Sequence, residues 1–461
     1  MTTDRDTIFA LSSGRPPAAI AVIRISGPRA GVALEALIGR VPQPRHATWA
    51  RVRDPATGDV IDEGLALWFP APRSETGEDI AELQIHGGRA VIAATLAALG
   101  RLEGFRHAEA GEFTRRAFEN GRMDLTAVEG LADVVAAETE AQRRQALRQM
   151  QGHLAGQADR WRERLIEARA LLEAGIDFAD EGDVPANLAR QALEIIRPVA
   201  EEIGQAGRGH GERIRDGLQV AIAGPPNVGK STLLNRIARR DVAIVSPYAG
   251  TTRDVIEVHL DLAGYPITLR DTAGIRETSD PVELEGVRRA RQSAQAADLM
   301  LWMFDVREID CDTVTKVTEQ AEALQQRVWF VLNKIDLLET QAPSRTESAF
   351  GGHPHARVVP ISAATGDGID NLIVSIGQFA ERFFWGEPGL VTRERHRQML
   401  QAAFGALAGA LAMDQAYGSE GREELLAEQI RMATRALERL TGRVDVEDVL
   451  DVIFRDFCIG K

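Results

Sequence analysis

The stretch from residue 218 to residue 236 constrains the fold more than any other part of the chain. The apolar run Leu218-Gln-Val-Ala-Ile-Ala223 leads directly into Gly224-Pro-Pro-Asn-Val-Gly-Lys-Ser231 and then into Thr232-Leu-Leu-Asn-Arg236. A short apolar run, a loop with glycine near each end and a helix-forming segment, in that order, describe a buried strand, a phosphate cradle and a helix. Gly224 and Gly229 allow consecutive backbone N–H groups to turn toward one anion, the helix starting near Lys230 aims its positive end at the same point, and Lys230 adds a full charge. Asn227, Val228, Gly229, Lys230, Ser231 and Thr232 are therefore candidate contacts for a nucleotide, with Lys230 against the phosphates and Ser231 as a magnesium ligand.

Further motifs follow in a fixed order. Ala249-Gly-Thr-Thr-Arg-Asp254 is too polar for core, and a hydroxyl of Thr251 or Thr252 completes the magnesium shell begun by Ser231. Pro266-Ile-Thr-Leu-Arg270 reads as a strand ending in Asp271-Thr272-Ala273-Gly274, which brings a carboxylate near the metal and a flexible backbone N–H, that of Gly274, near the terminal phosphate. Val328-Trp-Phe-Val-Leu332 runs into Asn333-Lys334-Ile-Asp336, and Val358-Val-Pro-Ile361 runs into Ser362-Ala363-Ala364; these two turns form the base pocket. A fixed carboxylate at Asp336 accepts from both the ring N–H and the exocyclic amine of guanine, whereas adenine has no such donor pair and would leave a buried acceptor unpaired. The expected ligand is GTP. Asn333 is expected to tie the base loop to the phosphate loop, and a backbone N–H near Ala363 to meet the guanine carbonyl.

Many GTPases of this kind place a glutamine directly after the Asp-x-x-Gly turn to orient the attacking water, but here Ile275 holds that position and neither donates nor accepts. Hydrolysis must be organised differently, and acidic candidates lie just downstream, in Arg276-Glu-Thr-Ser-Asp-Pro-Val-Glu-Leu-Glu285.

A chain of 461 residues that is 44% hydrophobic and 26% charged has the composition of folded protein and room for two or three domains. Two distant cysteines, Cys311 and Cys458, no secretory start and no apolar run approaching the ~18 residues of a membrane span indicate a reduced cytoplasm and no membrane. The net charge of −14 repels nucleic acid at long range, so RNA contact needs a local basic patch or a partner that supplies one; Arg393-Glu-Arg-His-Arg397 is the candidate run.

The first 120 or so residues alternate strand signals with turns, as in Ala18-Ala-Ile-Ala-Val-Ile-Arg-Ile25, Leu65-Ala-Leu-Trp-Phe69 and Ile80-Ala-Glu-Leu-Gln-Ile85. From Asp124 the texture turns helical, with Leu154, Trp161, Leu165, Ala168 and Leu172 at helical spacing as a core stripe. It breaks in the glycine-rich stretch from Gly204 to Gly217, read as a hinge, and resumes from about Thr392 after a junction at Phe383-Phe-Trp-Gly-Glu-Pro-Gly389. The expected fold is multidomain α/β plus α: an N-terminal mixed α/β domain at 1–121, an all-helical domain in two parts at 122–214 and 383–461, and between them an inserted P-loop, Ras-like GTPase domain at 215–382.

Gly250-Thr-Thr-Arg-Asp254, Asp271-Thr-Ala-Gly-Ile-Arg276, the terminal Phe457-Cys-Ile-Gly-Lys461, and Ser74-Glu-Thr-Gly-Glu-Asp79 followed by Glu82-Leu-Gln and His86-Gly-Gly88 resemble the MnmE (TrmE) family of tRNA-modifying GTPases over the whole chain. The resemblance implies a homodimer joined through the N-terminal domains, with GTPase domains that meet in a potassium-dependent way during hydrolysis. By the family's pattern Asn227, Ser246, Tyr248 and Thr251 hold the potassium ion, Pro247, Ala249 and Gly250 lie with them in the GTP-contacting segment, and Glu283 orients the water. Lys230, Thr252 and Gly274 complete the catalytic set.

The resemblance further implies a flavin-dependent partner, MnmG, carrying FAD in a heterotetramer, and tRNA as substrate. Together they modify C5 of the wobble uridine with a carbon from 5,10-methylenetetrahydrofolate. Arg24, Glu82, Arg122 and Lys461 fall where the family contacts the folate; the family usually has lysine where Arg122 stands, which keeps the charge and changes the reach. Cys458 is a possible functional thiol by resemblance, or else a small apolar anchor for the tail. The alternative to this enzyme is a regulatory switch GTPase, for instance in ribosome assembly, with no substrate chemistry of its own.

Overall fold

The computed structural model describes residues 6–177, 187–208, 211–244, 257–271, 297–309, 311–323, 327–338, 350, 357–385, 389–417, 422–444, 450, 453–454, 457 and 459–460. The chain forms two compact units, one of Met1–Ala132, Gln149–Gly204 and Gln398–Lys461, the other of Asp133–Arg148 and Gln205–Arg397.

The first unit opens with β1 (Thr7–Leu11), β2 (Ala18–Ser26), α1 (Ala30–Ile38), β3 (Thr48–Arg53), β4 (Val60–Phe69), β5 (Ile80–Gly87), α2 (Arg89–Gly100) and β6 (Phe105–His107). Its sheet has the order β3-β4-β5-β2-β1-β6, antiparallel throughout except for the parallel pair β1 and β6. In β2 the period-2 alternation buries Ala21, Ile23 and Ile25 against Leu83 and Ile85 of β5 and Leu34 and Leu37 of α1. The same alternation turns Arg24 to the opposite face, directly across from Glu82 of β5.

Helices follow: α3 (Glu112–Glu119), α4 (Leu125–Ala136), α5 (Glu140–Met150), which lies mostly in the second unit, α6 (His153–Asp177) and α7 (Leu188–Ala206), with Glu394–Tyr417 and Glu423–Thr441 later in the chain. The stripe of α6 is core: Leu154, Trp161, Leu165, Ala168 and Leu172 are all buried, and the Trp161 indole Nε1 donates to Glu202 Oε2 of α7 at 2.8 Å. The chain's end returns to the N-terminal sheet, where Ile459 bridges Ala110 and the Ser12 hydroxyl donates to the Gly460 carbonyl at 2.8 Å.

The second unit contains α8 (Gly211–Asp216), β7 (Leu218–Ala223), α9 (Lys230–Ala238), β8 (Ala243–Ile244), β9 (Glu257–Leu262), β10 (Tyr265–Asp271), β11 (Leu299–Asp305), β12 (Arg327–Asn333) and β13 (Arg357–Pro360), with helices Cys311–Ala323 and Ile369–Phe383. The sheet order is β13-β12-β11-β7-β10-β9-β8; the five strands from β13 to β10 are parallel, and β9 and β8 add an antiparallel edge. The chain first pairs β10 on one side of β7 and then β11 on the other. The end of β7 is thus the topological switch point, where doubly wound sheets hold ligands.

The glycine-rich stretch carries the boundary between the two units, at Gly204 and Gln205. Helix α7 runs through Gly204 to Ala206, and Gly211 begins α8 at a place where a Cβ would lie 2.2 Å from the Val391 carbonyl oxygen. Gly211 is required there by close backbone approach.

Candidate nucleotide site and N-terminal cleft

Beyond the end of β7, Gly224, Asn227 and Gly229 have positive φ of 141°, 60° and 105°. A Cβ on Gly224 would lie 2.4 Å from the Met303 carbonyl oxygen, and one on Gly229 2.3 Å from Asn333 Nδ2, so no side chain fits at either corner. Gly229 caps α9 and carries no side chain to occupy the first-turn N–H groups, which leaves them to an anion. Lys230 is buried, and its Nζ donates to the carbonyls of Gly224 and Pro225 at 2.8 and 2.9 Å, folding the loop around the ammonium. Burial lowers the lysine's pKa and the nearby Asp271 carboxylate works the other way; a bound phosphate would further favour the charged form. The Ser231 hydroxyl donates to Asp271 Oδ2 at 3.0 Å. These adjacent oxygens fit a hard cation such as magnesium.

The base loops are fastened to this cradle by one residue. Asn333, 2% exposed at the end of β12, donates from Nδ2 to the Val228 carbonyl at 2.7 Å and accepts from the Ala363 N–H at 2.8 Å. Ser362 is buried, its hydroxyl accepting from the Thr365 N–H at 3.1 Å, while Ala364 is exposed at the turn. Asp336 lies exposed on the 3₁₀ turn Ile335–Leu337, free to meet a ligand. Thr232 and Ala364 line an open cleft of about 720 Å³ with Arg236 and Arg239. Lys334 has a left-handed backbone, φ 67°, and its Nζ pairs with Asp305 Oδ2 at 2.8 Å. Sequence reasoning missed Asp305; the available signal was an apolar run, residues 299–304, ending in an acid on the same strand edge as Asp271 and Asn333.

Ser246, Pro247, Tyr248, Ala249, Gly250, Thr251, Thr252, Thr272, Ala273, Gly274 and Glu283 lie outside the described residues, as do Cys458 and Lys461.

In the first unit Arg24 Nε pairs with Glu82 Oε1 at 2.9 Å and a terminal nitrogen of Arg24 with Glu75 Oε2 at 2.8 Å. Glu75, Glu82 and Arg122 line a cleft of about 270 Å³ with Arg45, Phe69 and Ser74. The loop bearing Ser74 and Glu75 is pinned from below: the Arg116 guanidinium, buried, donates to Glu78 Oε2 and to Glu112 Oε1 at 3.0 Å each, and the Ser26 hydroxyl donates to Glu78 Oε2 at 2.9 Å. Glu78 stood out in the sequence only as part of the 74–79 motif, and Arg116 did not, because a buried cation declares itself only through its partners. The basic run near residue 395 is occupied internally: Arg393 pairs with Asp133 at 2.6 Å, and Arg397 with Glu394 and, at 3.8 Å, with Glu212. Among the described residues no helix is long and apolar enough to cross a membrane.

Two family models match the chain, the GTP-binding protein TrmE N-terminus over residues 7–122 and the MnmE helical domain over residues 125–458. A tRNA modification GTPase MnmE of Rhodopseudomonas palustris (strain BisB18) is 54% identical over 464 residues, covering 100% of both chains. One of Bradyrhizobium sp. (strain BTAi1) is 54% identical over 461 residues, covering 99% of each. Among solved structures, an Aquifex aeolicus Era variant bound to GDP and AlF4⁻ is 32% identical, with a TM-score of 0.31 over 41% of this chain and 65% of that one.

Proposed function

The chain belongs to the MnmE (TrmE) family of tRNA modification GTPases, and from that premise we propose that its GTP turnover serves modification of C5 of the wobble uridine in certain tRNAs. The carbon comes from 5,10-methylenetetrahydrofolate, and a flavin-dependent MnmG partner acts with a homodimer of this chain in the reducing cytoplasm. The observation that carries the reading is that one chain combines the glycine-cornered cradle around Lys230 with an N-terminal cleft whose lining carboxylate Glu82 is paired with Arg24. A switch GTPase without substrate chemistry would need only the first.

In the nucleotide site the backbone amides of the cradle and Lys230 bind and orient the phosphates, and Asn333 keeps the base turns in register with them. Ser231, with Thr252, would hold magnesium, and Asn227, with Ser246, Tyr248 and Thr251, would hold potassium. When bound, such cations offset charge that develops on the transferred phosphoryl group, the task an arginine finger performs elsewhere. Glu283 is the proposed water-orienting acid in place of the glutamine that Ile275 excludes.

In the N-terminal cleft a carboxylate such as Glu82 suits the donor edge of a pterin, and the cations Arg24, Arg122 and Lys461 suit the glutamate tail of a folate. Glu82 is held by Arg24, so its acceptor orientation is set before any ligand arrives. The test is nucleoside analysis of tRNA from cells lacking this protein: the wobble uridine modification should disappear, and its persistence would refute the reading. Titration of the purified protein with a reduced folate separates the two functional classes, since failure to bind would favour the switch.

A further inference from the structure

We infer that Asp305 is a positioning residue for nucleotide recognition, acting through Lys334 to hold the loop that presents Asp336. The inference rests on the proposed base pocket and extends it to a residue outside the base motif. Asp305 closes β11 and lies opposite Asn333 in the parallel register of β11 and β12. Its side chain is 8% exposed and carries an ionised carboxylate at the end of a buried strand. A charge so placed needs compensation, and two cations supply it. Arg307 donates in two bonds, at 2.9 and 2.6 Å, and Lys334 donates from Nζ at 2.8 Å. Arg307, then burial working the other way, then Lys334 set the balance, which keeps the carboxyl well below its ordinary pKa and charged at every pH near neutral.

The two cations differ in what they can do. Arg307 lies two residues on, and its backbone N–H also bonds Asp305 Oδ1 at 3.1 Å, so its hydrogen bonds to Asp305 close a local turn, and it reaches the base loop only through charge attraction to Asp336. Lys334 belongs to the base loop, 29 residues away, and connects two strands. It also has a left-handed backbone, φ 67°, that a lysine rarely adopts unless its surroundings impose it. The loop is fastened by side chains at Asn333, to the phosphate cradle and Ala363, and at Lys334, to Asp305, and by its backbone where the Ile335 N–H donates to the Ile361 carbonyl at 3.2 Å. Asp336, two residues beyond Lys334, has exposure and no described fastening of its own. Of these fastenings, the Lys334–Asp305 pair is the one in which a charged side chain of β11 holds the loop.

The test is steady-state GTP hydrolysis by the full-length protein. In Asp305→Asn, which keeps the shape and removes the charge, KM for GTP should rise about tenfold while kcat stays within about twofold, because the loop contributes equally to ground-state and transition-state binding. A protein that merely folds poorly would lose kcat through a smaller active fraction and keep its KM, which overturns the inference. Arg307→Ala, which leaves the Asp305–Lys334 pair intact, should keep KM within about threefold of the parent; a rise equal to that of Asp305→Asn would assign the carboxylate to the turn alone. Asp336→Asn, assayed beside them with xanthosine triphosphate, tests the pocket separately. If that variant gains no preference for xanthosine triphosphate the base-pocket reading fails, whatever Asp305→Asn shows.

Discussion

At the residue scale, the nucleotide site depends on positions where the backbone, not the side chain, is the functional group. Gly229 illustrates this: it combines φ 105° with a Cβ position 2.3 Å from Asn333 Nδ2. Alanine there would strain the backbone and displace the amide that fastens the base turns, two faults of about 1–3 kcal/mol each. Gly229→Ala should therefore lower kcat/KM for GTP by about a hundredfold or more, read in a steady-state assay, with little change in the stability of the other unit. Arg116 depends on its side chain instead. Its removal would leave Glu78 and Glu112 with a lost buried partner at a cost of about 3 kcal/mol, seen as a lower urea midpoint in Arg116→Ala. For Glu112, burial alone would raise the pKa, but Arg106, the Glu109 amide and Arg116 together bring it below its usual 4.5. A carboxyl depressed in the folded state stabilises above its unfolded pKa and loses that contribution as pH falls through the folded value. Stability should thus fall from about pH 4.5 downward, and the fall should be shallower in Arg116→Ala. Gly229 was legible because a phosphate loop is local in sequence. Arg116 and Asp305 were not, since the partners that give them their roles, Glu78 and Lys334, lie 38 and 29 residues away.

At the element scale, helical periodicity carried most of the information and sheet order almost none. The stripe from Leu154 to Leu172 in α6 reads directly as a buried face, because side chains three and four apart share one side of a helix. Within it Trp161 is 1% exposed and donates to Glu202, while its neighbour Arg162 pairs with Glu438 of helix Glu423–Thr441 at 2.9 Å. Trp161→Ala should cost about 3–5 kcal/mol by leaving a large cavity. Trp161→Phe, which keeps most of the volume and loses the indole bond, should cost less than half as much. Differential scanning calorimetry of the two variants measures the difference, and equal losses would mean that packing contributes little there. Strand neighbours, in contrast, are set by long-range pairing: β7 lies between β10 and β11, neither of which is close to it in the chain. No local pattern encodes that choice.

At the scale of the whole molecule, the chain joins a phosphate cradle and an N-terminal cleft, and the proposed function assigns each a task. If potassium completes the charge balance at the phosphates, hydrolysis should run several-fold faster in potassium than in sodium chloride at matched ionic strength. Asn227→Ala should abolish that difference. Equal rates of the unmodified protein in the two salts would remove the role given to Asn227.

By itself the sequence determined the kinds of element, the phosphate cradle, the base motif and the family. Each is written in residues close together, where spacing and backbone freedom translate directly into geometry. Only the tertiary structure decided which strand edges meet, that Asp305 holds Lys334, that Arg116 holds Glu78, and that Gly211 lies against the Val391 carbonyl. Those depend on contacts between residues far apart in the chain. Such contacts become favourable only after the core has brought their backbones together, so no local signal records them.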